Sequence, residues 1–242
     1  MALRPDDARV RAAIHSIFVE RGGPPEADEL IARTELPRDE IFDALRRLAA
    51  TGSITLRPGT LDVWAAPPFS ATPTIHHVTV GDGEHAKKFW AGCAWCALGV
   101  CVAVGPGRIH SLYGGEDEPF DLTVDAQGPR DVRVADAATR TRSVTRGGET
   151  CVHFAVPAKR WGESLGYACA TILFFKSPDD EEDWLARTRL PAGRVVGLEQ
   201  TWRLAQRFFE KFSEPGPHLR HKSDVDALFR DAGLDDPFFL LK

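Results

Sequence analysis

The hydrophobic period of this chain changes near residue 52, and that change constrains the fold more than any other feature. Before it, apolar residues recur at helical spacing. Val10, Ala13, Ile14, Ile17 and Phe18 make one stripe over residues 5–22, stopped by Gly22 and Gly23. Leu30 and Ile31 face inward in PPEADELIART, and Ile41, Leu45 and Leu48 line LPRDEIFDALRRLAATG. After it come short β-leaning runs: SITLRPGTLDVWAA turning at Pro58-Gly59, then IHHVTV, RIHSLY, PFDLTVD, DVRVAD and ETCVHFAVP. This order predicts an α+β chain with a mainly antiparallel sheet.

Three helices and a hairpin in the first 66 residues follow the plan of a winged helix-turn-helix. Residues 67–74, rich in Pro, Ser and Thr, read as a linker, and 75–242 as an α+β core domain. Within the core domain a helix is expected from about Glu84 through GDGEHAKKFWAGCAWCALGVCVAVG. The unbroken apolar run YACATILFF (Tyr167–Phe175) is expected as a buried strand. Ser177 and Pro178 open another helix, with the acids Asp179 to Asp183 as its solvated first turn. Amphipathic helices are further expected over 198–212 and in SDVDALFRDAGLDDPFFLL.

Charge narrows the function classes. The formal net charge of −5 argues against a general electrostatic hold on nucleic acid. A DNA-binding winged helix would send Arg38, Arg46 and Arg47 to phosphates, but Asp39, Glu40 and Asp43 stand beside them. No run approaches the ~18 apolar residues of a membrane span. Charges at Asp6, Asp7, Arg9 and Arg11 occupy the place of a signal peptide's apolar centre, so a cytoplasmic protein is expected. Reduced thiols follow from that compartment, and five cysteines do not suggest a disulfide framework.

Three of the five cysteines lie in FWAGCAWCALGVC. Cys93 and Cys96, three apart, share a face if the segment is helical. A redox pair would require a strand entering a helix N-terminus, which the expected helix from Glu84 does not provide. A structural zinc site would require a second ligand pair, and no such spacing recurs. A soft-metal thiolate site stays open if another sulfur arrives from elsewhere, with Cys169 the natural partner. Cys101 and Cys151 read as packing, since free cysteine is among the most buried residue types. Trp90 and Trp95 suit either an apolar pocket wall or the core, and His153 reads as a structural histidine on an alternating strand.

The segments FWAGCAWCALGVCVAVG, YACATILFFKSPDDEEDW and GLEQTWRLAQRFF, in this order, resemble the organomercurial lyase (alkylmercury lyase) family, as does the N-terminal helical module. The family's pattern is C-x-x-D in the first segment and a second cysteine before FF. Cys93 matches the first cysteine and Cys169 the second, while Cys96 occupies the aspartate's place. The resemblance implies that two thiolates capture an alkyl- or arylmercury, that the carboxyl group assists protonation of the leaving carbon, and that Hg(II) passes to a thiol acceptor. No cofactor is required; Hg(II) or another soft metal ion is product or ligand. Cys93, Cys96 and Cys169 are thus the expected catalytic and metal-binding residues. Cys96 supports two opposed readings: a proton donor in place of aspartate, or a third sulfur ligand that retains the metal. The alternatives are a non-catalytic Hg, Cu or Zn binder or metal-responsive regulator, and a thiol-dependent lyase on a non-mercury organic substrate.

Overall fold

The computed structural model describes residues 4–114, 118–135, 142–146, 149–211 and 222–241. Its first elements are helices α1 (Pro5–Arg21), α2 (Ala27–Thr34) and α3 (Arg38–Ala50), as the helical period predicts. Val10, Ile14, Ile17 and Phe18 of α1 share one core with Ile41, Leu45 and Leu48 of α3. Asp7 and Arg47 tie the same two helices at 2.6 Å. A second, polar stripe on α1 is also buried: Asp7, Arg11 and His15, four residues apart, are at most 3% exposed. This helix is therefore enclosed nearly all round; His15 pairs with Arg11 O of the same helix (2.8 Å) and ties α1 to the chain after the hairpin through Pro67 O (3.0 Å).

The hairpin follows as β1 (Thr55–Leu56) and β2 (Val63–Ala66). Residues 67–74 then contain a short strand, β3 (Phe69–Ser70). The next elements are β4 (His77–Val80), β5 (Lys87–Ala91), α4 (Ala94–Val104), β6 (Gly107–Leu112), β7 (Pro119–Asp125), β8 (Gly128–Ala135) and β9 (Arg142–Arg146). These strands form one antiparallel sheet of order β1-β2-β3-β5-β4-β6-β7-β8-β9, with β3 joining the hairpin to β5. The last part comprises β10 (Cys151–Phe154), α5 (Leu165–Ala170), β11 (Ile172–Phe175), α6 (Pro178–Thr188), β12 (Arg194–Gly197), α7 (Leu198–Phe209) and α8 (Lys222–Asp231). Here β10 lies between β11 and β12 in a second antiparallel sheet. The α+β class with antiparallel sheets is as expected.

Helix α4 is buried from Ala94 to Cys101 and packs on β4, β5, β11 and α7. Its approach to α7 requires a glycine: a Cβ at Gly99 would lie 2.5 Å from Phe209 Cδ2. No described helix is long and apolar enough to cross a membrane.

Two expectations are corrected. The helix expected from about Glu84 begins only at Ala94, after a 3₁₀ turn (Gly83–His85) and strand β5. KKFWA suits either period; pairing with β4 and β3 decides, burying Phe89 and Ala91 on one face while Lys87 and Lys88 stay exposed at the strand's start. The strand expected over YACATILFF is divided between α5 and β11. Ser164 caps α5 by accepting the Tyr167 N–H (3.3 Å), and only Ile172–Phe175 pairs with β10. Three strands, β3, β9 and β12, have no counterpart in the expectations, β3 falling in the segment read as a linker.

Candidate functional site

Both corrections fall on the cysteines. β5 delivers the chain through Gly92 to Cys93, which is the N-cap of α4 with extended backbone (φ −166°). Its Sγ accepts the Cys96 N–H at 3.2 Å, as a serine N-cap oxygen would. The C-x-x-C pair therefore does stand at a strand-to-helix junction, where the helix dipole favours a thiolate. From the other direction, α5 presents Cys169 one residue before its end.

The sulfurs of Cys93, Cys96 and Cys169 lie within 4.8 Å of one another. Cys93 and Cys96 are buried, whereas Cys169 is partly exposed. Burial pushes the Cys93 thiol well above the ordinary range, and hydrogen bonding to Cys169 and Cys93, with burial, does the same to Cys96. Cys169 accepts from both and is held well below that range. The three thiols thus titrate as one unit in which hydrogen bonding favours the negative charge at Cys169.

Two cavities meet these sulfurs. One, of about 240 Å³, has Arg11, Trp95, Trp161, Phe208 and Phe229 in its walls; the other, of about 320 Å³, is bordered by Trp64, Phe69 and Gly92. Cys96 and Cys169 line both, and Cys93 lines neither. Cys93, the first cysteine of the motif, is therefore the innermost sulfur, and Cys169 the most accessible. Gly92 keeps the second approach open. A Cβ there would touch the sulfurs of Cys169 and Cys96 at 3.8 and 3.9 Å, so any longer side chain would cover them. The first cavity's wall is aromatic: Trp95 has Phe208, Phe209 and Trp161 at ring-centroid distances of 4.8, 5.1 and 5.5 Å.

The remaining candidates lie elsewhere. Cys101 is buried in α4, its thiol pushed up to about 12 by burial. Trp90 packs on His77 (4.8 Å) and lines neither cavity. Cys151 and His153, two apart on β10, enter a separate cluster with Phe175 and Trp184. There His153 Nδ1 lies 2.6 Å from Glu181 Oε1, both side chains enclosed. The acidic turn of α6 is consequently not all solvated: Glu181 turns inward, and burial raises its carboxyl. Arg38, Arg46 and Arg47 each face a carboxylate, of Asp28, Asp43 and Asp7.

Sequence reading missed Arg11, Gly92, Trp161, Phe208 and Phe229 as site residues. Arg11 leaves a signal, the four-residue spacing with Asp7 and His15. Gly92 stands beside Cys93 in the motif itself, while Trp161, Phe208 and Phe229 reach the cavity by tertiary packing alone.

The family model described as alkylmercury lyase (MerB) matches residues 69–210. Alkylmercury lyases of Bacillus cereus and Clostridium butyricum are each 27% identical over 150 residues, covering 60% of this chain and 58% of theirs. The chain thus spans less than two thirds of the length of these curated relatives. The crystal structure of the mercury-bound form of MerB2 superposes with a TM-score of 0.67 at 20% identity, covering 88% of this chain and 93% of the other, which is a likeness of fold.

Proposed function

The chain belongs to the alkylmercury lyase family, and we propose that it binds organomercurials through Cys93, Cys96 and Cys169 and cleaves the carbon–mercury bond by protonolysis. The observation that carries this reading is the meeting of three sulfurs, within 4.8 Å, at the junction of two cavities. Mercury is soft and thiolate is its preferred protein ligand.

The chemistry follows from access and proton inventory. An R–Hg–X compound meets Cys169 first, the accessible sulfur that carries the cluster's negative charge. Its thiolate forms an Hg–S bond and X leaves as an anion. Cys93 then adds as the second ligand, its proton passing to solvent, and the added electron density weakens the Hg–C bond. Cys96 retains its proton and lies within reach of the metal-bound carbon. When the Hg–C bond breaks, its electron pair takes the Cys96 proton, giving R–H and a mercury dithiolate. The aromatic wall of the 240 Å³ cavity accommodates the organic group. A thiol acceptor in solution then removes Hg(II) and reprotonates the cluster.

A second reading has an observation of its own. Cys96 is as close to the other sulfurs as a ligand must be, so after proton transfer it can bind the product and slow its release. The two readings separate in one experiment. Purified reduced protein mixed with phenylmercuric acetate is followed for benzene release and bound mercury. Several turnovers in excess thiol support the lyase. One turnover with retained mercury, converted to many by Cys96→Asp, supports the trap. No benzene from the wild type or from Cys96→Asp would overturn the protonolysis reading.

A further inference from the structure

We infer that the three sulfurs also form a binding site for trivalent arsenic, entering as arsenous acid and leaving none of its oxygens on the metalloid. This use of the site needs no carbon–mercury chemistry. Three features carry it: the spacing of the sulfurs, the lack of a fourth ligand, and the charge of the product.

A metal–thiolate bond of about 2.3 Å places the sulfurs of a three-coordinate centre about 4 Å apart, or closer if the centre is pyramidal. The observed limit of 4.8 Å needs only a small contraction. Among the described residues no histidine, carboxylate or further cysteine joins the three sulfurs, so a tetrahedral ion such as Zn²⁺ lacks its fourth protein ligand. Trivalent arsenic fills that position with its own lone pair, which the apolar walls around Cys96 and Cys169 can face without loss. Within the segment that carries the family's C-x-x-D, the sulfur of Cys96 is what completes the set of three.

Charge favours the same occupant. Each sulfur displaces one hydroxide: an As–S bond forms, an As–O bond breaks, and the hydroxide leaves as water, taking its proton from the thiol at Cys93 and Cys96 and from solvent at the Cys169 thiolate. Arsenous acid, two thiols, one thiolate and a proton thus give a neutral tris-thiolate and three waters, with no oxidant or reductant. A divalent ion in the same cage leaves one net negative charge, which the neutral arsenic product does not carry, beside Cys93 and Cys96, which are 0% and 2% exposed. Burying that charge is costly unless it is paired.

The test uses the reduced 242-residue chain and sodium arsenite. Native mass spectrometry should show one arsenic gained and three hydrogens lost per chain, and arsenic-edge X-ray absorption should show three sulfur neighbours and no oxygen. Cys96→Asp should weaken arsenite binding by at least ~100-fold, beyond the loss of a supporting contact, while Cys101→Ser binds as the wild type does. Oxygen retained on arsenic in the wild type, or undiminished binding by Cys96→Asp, would overturn the inference. Arsenite capture without benzene release from phenylmercury would leave this site standing and remove the lyase reading.

Discussion

Two buried clusters in this chain hold a cysteine among groups able to react, and they behave oppositely. The first joins Cys93, Cys96 and Cys169 where two cavities meet. The other joins Cys151 to His153, Glu181, Phe175 and Trp184, and none of these lines either cavity. By residue type alone the Cys151 cluster is the better equipped for catalysis, with a thiol, an imidazole and a carboxyl together. Yet burial pushes the Cys151 thiol up to about 12, with Glu181 and Asp180 adding to it, and lowers His153 to about 4. In the three-sulfur cluster the neighbours donate instead of repelling, and one thiol, Cys169, is brought down. Reactivity here is decided by who donates to the sulfur and whether a reagent can reach it.

The largest contrast should come from removing one sulfur on each side. Cys169→Ser is expected to reduce phenylmercury cleavage by more than ~1,000-fold, on the scale of losing a nucleophile. Cys151→Ser should leave the rate of the folded enzyme within about twofold. Comparable losses from both, measured by benzene release, would erase the distinction between the clusters. Thiol labelling sharpens it further. In native protein, iodoacetamide should modify Cys169 about 100-fold faster than Cys101 or Cys151, judged by peptide mapping over time. Labelling of Cys151 at a similar rate would show that its cluster is not closed.

Aromatic packing should matter next. Trp161→Ala enlarges the first cavity beside Cys169 and is expected to raise KM for phenylmercury about tenfold, with a smaller change for methylmercury, which touches less of that wall. Equal effects on both substrates would place the organic group elsewhere.

Acid and ion pairing test the scaffold apart from the chemistry. His76, enclosed beside Ser111 Oγ (2.8 Å), has its pKa lowered by burial to about 3. The unfolded chain takes up this proton near pH 6.5 and the folded one does not, so the associated stability is intact above 6.5 and falls below it. The expected contribution of His76 to the loss is about 2 kcal/mol by pH 5, read as the difference in urea unfolding between the wild type and His76→Gln, with His15 and His153, both lowered to about 4 by burial, adding to the slope that remains. Arg47→Ala, which strands the buried Asp7, should cost about 2 kcal/mol at neutral pH without altering cleavage by the protein that remains folded.

How far the residues alone could be read depended on whether local pattern or tertiary pairing decided each element. The helices α1 to α3 were legible because their stripes are long and carry stop signals. Cys101 was legible as packing because it sits in an apolar run far from any partner. The N-cap position of Cys93 was hidden, since KKFWAGCAW suits helix and strand equally until β4 pairs with it. Cys169 could be matched with Cys93 by resemblance, but not placed on a helix, because ACATILFF has no period to read. Inward rotation of Glu181 escaped for the opposite reason: an acid in a helix's first turn already has a sufficient local explanation. The cavity walls drawn from α7 and α8 were beyond any local pattern, being made by elements distant in the chain.

In the proposed mechanism the three sulfurs act as one unit, with Cys169 capturing mercury and Cys96 holding the proton for carbon. The most direct measurement is benzene released per chain from phenylmercuric acetate in deuterated buffer, compared between wild type and Cys96→Ala. The wild type should release monodeuterated benzene, whereas Cys96→Ala should still bind phenylmercury one to one but release benzene at least ~100-fold more slowly. Benzene release by Cys96→Ala at the wild-type rate would contradict the claim.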